Sequence, residues 1–454
     1  MTETATVAPP QATTDPPHLT RTLGTSSLVL FGLVYMVPLT IFTTYGIVTQ
    51  ITGGRLPLAY LVTLVAMMFT ARSYGLLSRA FPVAGSAYVY SRRTFGGPVG
   101  FLTGWALMMD YLFLPMINYL VLGIYAHEAI PAVPAWGFAL AGIVLVTTLN
   151  LFGIVTIART TYLIVALQAV FIVVFVVSSV FSLNGSGSVD LLAPLRGDGS
   201  EPGLDPLIAG AAILCLSFLG FDAVSTFSED AKNPQRTVPR AIMLTTLIAG
   251  ALFTALAYVS HLVLPQSTFA DVDAAAVEVM SAAGGAFLGA FFTAAYVAGS
   301  LGSALTSQAA VSRIIYSMGR DGVLPKAVFG RLSARYKSPF AAIILTSLIG
   351  VLALVLDLDT VSSLISFGAL TAFTLVNLAV IRHFFFTEKK RGARGVVNHL
   401  IVPALGFLIT LWLWTSLSGL ALAVGIAWVA IGVLWLAVIT HGFRRPTPDL
   451  EGMD

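Results

Sequence analysis

The chain has 454 residues, of which 57% are hydrophobic and only 10% charged, and its formal net charge is +3. That balance excludes an ordinary soluble domain, and so small a positive excess gives no ground for nucleic-acid binding. Apolar runs of about 20 residues recur along the whole length and predict an all-α integral membrane protein.

The first 24 residues, MTETATVAPPQATTDPPHLTRTLG, are rich in Thr and Pro. They lack the basic-then-apolar order of a cleaved signal peptide and predict a disordered cytoplasmic tail. Twelve spans follow, at 25–50, 57–79, 100–126, 135–153, 159–182, 207–228, 240–264, 286–317, 338–357, 360–384, 398–418 and 421–442. In span one, Pro38 removes a helix donor, and the hydroxyls of Thr40, Thr43 and Thr44 can satisfy the freed backbone groups. Between spans two and three, RAFPVAGSAYVYSRRTFGGPVG is long and amphipathic and predicts a helix lying on the cytoplasmic surface.

Span three carries Asp110 deep in an apolar run, with no Lys or Arg nearby. A carboxylate at that depth is costly and marks either a substrate or cation path or a protonated helix–helix hydrogen bond. Tyr111 beside it can hydrogen-bond an ammonium or offer it a π face. Asn118, two turns on and nearly on the same face, extends a polar path or bonds a neighbouring helix. Arg159 opens span five as a gating cation or a snorkelling side chain. Span six contains the lone Cys215, then Gly220 at mid-depth, then Phe221 and Asp222. Phe221 is a lid or a packing residue. Asp222 contacts substrate, carries a coupling proton, or caps a broken helix. Glu229 ends this span among basic residues, as a gate or in a structural salt bridge. The segment DVDAAAVEVMSAAGGA before span eight predicts a lid helix at the outer surface, and His127 and His261 fall near outer ends.

Charge placement sets an expected topology. With the amino terminus inside, Arg79, Arg92, Arg93, Lys232, Arg236, Arg240, the cluster from Arg320 to Lys337, the cluster from Lys389 to Arg394, Arg444 and Arg445 all fall inside. Only Arg55 and Arg196 fall outside, so the positive-inside bias favours cytoplasmic amino and carboxyl termini. The outer loops are acidic, with Asp190, Asp198, Glu201 and Asp205 in one and Asp271, Asp273 and Glu278 in another. They are solvated loops or weak concentrators of cations. The helix breakers of spans one and six lie five spans apart, which fits a five-plus-five inverted repeat with a site at the membrane midplane. The expected units are 25–182, 207–384 and two added spans at 398–442.

The stretches FPVAGSAYVYSRRTFGGPVGFLTGW and GFDAVSTFSEDAKNPQRTVPRAI resemble the amino acid-polyamine-organocation superfamily. Within it, MDYLFLPMIN, CLSFLGFDA, MGRDGVLPK and SFGALTAFTLVNLAV resemble the bacterial putrescine importers. The resemblance covers nearly everything after the tail. It implies the LeuT-type fold, with substrate held between broken spans one and six and spans three, eight and ten. It implies that Asp110 and Tyr111 line the substrate site, and that a cation near Arg159 can stand in for a sodium ion. It breaks at one place. The importers carry an Asp in the unwound part of span one, where LTIFTTYG puts Thr43. Amino-acid carriers of the superfamily carry a Gly-Ser-Gly cradle for the substrate carboxylate, where this chain has Pro38, Leu39 and Thr40. Pro offers no amide, which favours an amine without a carboxylate.

No Walker loop, HExxH, Cys/His metal cluster or nucleophile elbow is present, so neither an enzyme nor a bound cofactor or metal is expected. The expected function is a secondary transporter of the bacterial inner membrane. It would import a protonated organic amine such as putrescine, driven by protons or the membrane potential, with lipid as its surroundings. The expected substrate-binding residues are Asp110, Tyr111, Thr40, Thr43, Phe221, Asp222 and Asn118, and the coupling or gating residues Asp222, Glu229 and Arg159. The alternatives are an amino-acid or monoamine carrier of the same fold and, from another class, a cation channel, which rings of acids from several subunits would favour.

Overall fold

The computed structural model of the chain describes residues 23–83, 86–152, 157–185, 189–200, 203–228, 231–320, 322–333, 336 and 338–447. Residues 1–22 of the tail expected over 1–24, Glu229 and the side chain of Arg159 lie outside the described residues. Among those residues, ten helices are long and apolar enough to cross a membrane. Two shorter apolar helices, Ala135–Leu151 and Phe340–Leu354, fall at the expected fourth and ninth spans. No strand forms among the described residues beyond one isolated bridge between Leu23 and Ala231. In hydrocarbon every backbone group must find its partner inside the chain, which leaves the helix as the solution for each run. Several polar side chains within the spans are satisfied locally: Thr63, Thr103 and Thr371 each donate to the carbonyl one turn back, at 2.9, 2.8 and 2.7 Å.

Span one is broken where Pro38 predicts. An α-helix over Thr25–Tyr35 gives way to a 3-10 turn over Pro38–Phe42 and resumes over Tyr45–Ile51. Val37, just before the proline, leaves helical torsions with φ 50°. Thr40 Oγ1 donates to the carbonyls of Met36 and Val37 at 2.8 and 2.6 Å, the second of which also accepts the Thr40 backbone N–H. Span six breaks at the matching depth. A helix over Asp205–Leu214 tightens to 3-10 over Cys215–Phe218, turns at Gly220 and continues as 3-10 over Ala223–Phe227. Gly220 has φ 125°, and a Cβ there would lie 2.7 Å from the Tyr35 ring. Only glycine meets both demands, so the two breaks are packed against each other.

The amphipathic segment before span three is a helix over Ser86–Phe95. The segment expected to be a lid is also helical. It joins span eight in one run, Ala275–Arg320, bent by non-helical torsions at Gly284 and Gly285. Its residues Ala275, Ala276, Val279, Met280 and Ala283 are buried, the spacing of one helix face.

Span two packs on span seven, and span three on span eight. Span one lies on span seven as span six lies on span two, and span three lies on span ten as span eight lies on span five. Exchanging one with six, two with seven, three with eight and five with ten carries this set of contacts into itself. Spans eleven and twelve pack outside it, on span ten among others. The basic loops gather at one end, where Lys232 N–H donates to Leu23 O at 2.8 Å and Arg382 Nε to Thr94 O at 2.9 Å. The acidic loops gather at the other, where Asp198 N–H donates to Gly53 O at 2.9 Å and Ser267 donates to the Asp198 carboxylate. Hydrogen bonds from Ser200 and Ser267 hold the Asp198 carboxyl down at about 2. This loop is therefore tied into the acidic end as well as solvated.

Candidate functional site

Beside the paired breaks lies a cavity of about 60 Å³, walled by spans one, three, five, six and eight. Thr40 and Thr43 reach it from the break of span one, and Asn118 from span three. Thr43 is hydrogen-bonded to the hydroxyl of Tyr296 on span eight, which also lines the cavity. Asn118 donates to Leu114 O at 2.7 Å, which leaves its carbonyl oxygen for another partner. No lining residue is charged.

The other four residues expected to touch substrate, Asp110, Tyr111, Phe221 and Asp222, are not part of this lining. Asp110 is buried on a face of span three that meets span ten, where a Cβ on Gly368 would come within 3.1 Å of Asp110 N. Eight residues of helix advance by about 80° around the axis, so Asn118 faces the cavity while Asp110 turns aside from it. Asp222 Oδ1 accepts from Gly220 N–H at 3.3 Å and so steadies the break of span six. The two acids interact electrostatically with each other and with Tyr35 and Tyr111. Tyr35 itself lines the cavity. Tyr35 thus stands both in the cavity lining and within electrostatic reach of the acid pair. No basic side chain among the described residues contributes to the electrostatics of either acid.

Aromatic layers stand beside the two breaks. Toward the acidic end, Tyr125 donates to Phe42 O at 2.7 Å and packs on Phe292 and Tyr296 at ring distances of 5.1 and 4.8 Å. Toward the basic end, Phe221 stands edge-on to Tyr74 at 5.6 Å and lies against Phe373 at 5.1 Å. Phe221 is fully buried in that layer.

Sequence reasoning missed Tyr35, Gln168, Tyr296, Ser300 and Ser303, all of which line the cavity. Gln168 had a signal, a lone carboxamide in the apolar run LIVALQAVFIVV. The others are neutral side chains of kinds common in membrane helices. Among the described residues no group of three or more His, Cys, Asp or Glu could hold a metal ion.

The profile of the amino acid permease family matches residues 27–441. The low-affinity putrescine importer PlaP of Escherichia coli (strain K12) is 41% identical over 441 residues, which cover 96% of this chain and 97% of that protein. The branched-chain amino acid permease BcaP of Bacillus subtilis (strain 168) is 26% identical over 450 residues, covering 93% of this chain and 94% of its own. The methylthioribose transporter of the same organism is 27% identical over 437 residues, 92% of each chain.

Proposed function

The chain belongs to the amino acid permease family and is a multi-pass membrane transporter, and from that premise we propose that it imports a protonated organic amine, with putrescine the first candidate. The observation that carries this reading is the buried pair Asp110 and Asp222, within electrostatic reach of the cavity-lining Tyr35 and with no basic partner among the described residues. Two acids in so dry a place call for a cation, either a proton or an ammonium. The likeness to a putrescine importer supports the ammonium. Cavity residues Thr40, Thr43 and Asn118 hold the amine. Asp110 and Asp222 supply the attraction from behind Tyr35, and Asp222 is also the coupling group if protons drive uptake. Glu229 and Arg159 belong to the gate at the basic end.

The transport cycle is alternating access around this cavity. Two inverted repeats, 25–182 and 207–384, move against each other, with 398–442 appended. The exchange symmetry of the span contacts supports that division. The basic end faces the cytoplasm of a bacterial inner membrane, and both termini lie on that side.

The test is Asp110→Asn. Removing a charge that acts on the substrate in a low-dielectric site should weaken amine binding by at least about tenfold. Asp222→Asn should change the pH dependence of uptake or abolish it while binding remains measurable. Binding of amines by a folded Asp110→Asn protein at the original affinity sinks the assignment. A preference for branched-chain amino acids over every amine would favour the amino-acid reading, toward which the likeness to BcaP points.

A further inference from the structure

The wall that spans five and eight present to the cavity is polar and uncharged, and beyond the Tyr296 hydroxyl, bonded to Thr43, its polar atoms are open. Gln168 is only 2% exposed, its side chain lines the cavity, and its Oε1 has no hydrogen-bond partner. A Cβ on Gly299 of span eight would come within 2.3 Å of Gln168 Nε2, so span eight leaves space for this carboxamide at the point where it stands. Ser300 and Ser303 line the same wall, and their hydroxyls make no hydrogen bond among the described residues. One turn on in the same helix, Thr306 and Ser307 bond back to Gly302 O at 3.0 Å and Ser303 O at 2.6 Å. Two other buried hydroxyls of these spans, Ser179 and Ser312, also lack a partner, but neither lines the cavity. At the cavity, Tyr296 is bonded to Thr43, while Ser300, Ser303 and the Gln168 Oε1 are left open. A buried amide without a partner costs free energy that an arriving ligand can recover.

We propose that Gln168, with Ser300 and Ser303, forms a subsite for a neutral hydrogen-bonding tail on the substrate. This rests on the amine reading above and extends it. The ammonium answers to Asp110 and Asp222 through Tyr35, and the tail answers to Gln168. A carboxamide offers a donor and an acceptor side by side, and a half-turn of its last torsion exchanges them. Seryl hydroxyls do the same. A tail that both donates and accepts, an alcohol or an amide, uses this wall fully. A second ammonium only donates, and finds no counter-charge there. A plain alkyl end leaves the carboxamide unpaired, and a site built to hydrogen-bond a tail rejects the analogue that lacks it. The substrate class is therefore amines with a polar tail, with monocationic amino alcohols taken alongside diamines and alkylamines excluded.

The experiment is binding calorimetry on the purified full chain with 4-amino-1-butanol, n-butylamine and putrescine. In the wild-type protein 4-amino-1-butanol should bind about tenfold tighter than n-butylamine, the yield of one or two recovered hydrogen bonds. Gln168→Leu, in protein that elutes and melts as a folded species, should bring that ratio close to one. Gln168→Glu should move preference from 4-amino-1-butanol to putrescine by placing a counter-charge at the tail. Should Gln168→Leu fail to fold, Ser300→Ala is read instead and should lower the same ratio about threefold. A wild-type ratio near one, or a ratio that both substitutions leave unchanged, overturns the subsite while the amine reading stands. If the wild-type protein binds none of the three amines, the amine reading itself falls and takes the subsite with it.

Discussion

Asp273 lies at the acidic end, within electrostatic reach of Asp271, Asp357 and Asp359. Burial pushes its carboxyl up to about 6, and the three neighbouring charges push it the same way. A group whose folded value is raised contributes most below its unfolded value near 4, and that contribution is lost as pH rises through about 6. The thermal stability of the purified protein should therefore fall between pH 5 and pH 7, and Asp273→Asn should flatten the fall. Parallel melting profiles for the two proteins would show that Asp273 does not titrate in that window. This residue was visible in the sequence only as one acid in an acidic loop, because proximity to Asp357 and Asp359 depends on chain folding. The intramembrane acids were more legible. Asp110 and Asp222 stand out as lone charges in apolar runs, and the structure brings them within reach of each other. The neutral cavity wall was not legible. Gln168, Tyr296, Ser300 and Ser303 differ from packing residues only in which way they face, and that is set by contacts between spans.

The broken spans are the elements on which the site depends. Both breaks were legible for a physical reason: Pro38 lacks a donor and Gly220 tolerates a left-handed torsion. Their packing against each other was not, since it needs the Tyr35 ring to lie over Gly220. Gly220→Ala would meet both a forbidden torsion and that ring, at a cost of about 1–3 kcal/mol. It should lower the melting temperature and suppress uptake. Gly285→Ala, at φ 66° with open space around it, carries the torsional cost alone and serves as the comparison. Its uptake should persist. If Gly220→Ala melts and transports no differently from Gly285→Ala, the close approach of the two breaks does not shape the site. The long helices were read from the sequence to within a few residues because hydrocarbon permits little else. The rotation of span three was not, and it decides that Asn118 rather than Asp110 lines the cavity.

At the scale of the whole molecule, the structure holds a small cavity and two aromatic layers, Tyr125 with Phe292 toward the acidic end and Phe221 with Tyr74 and Phe373 toward the basic end. A carrier must open these layers in turn, and a channel would open them together. In proteoliposomes, labelled putrescine should accumulate with a turnover that saturates, and unlabelled putrescine inside should speed its entry, as exchange through an alternating site requires. The measurement closest to the central claim is competition for that uptake by a panel of amines and neutral amino acids at matched concentration. The proposal predicts that putrescine and amines with polar tails suppress uptake while alanine and leucine leave it intact. Strong suppression by leucine or alanine with none by the amines would contradict it.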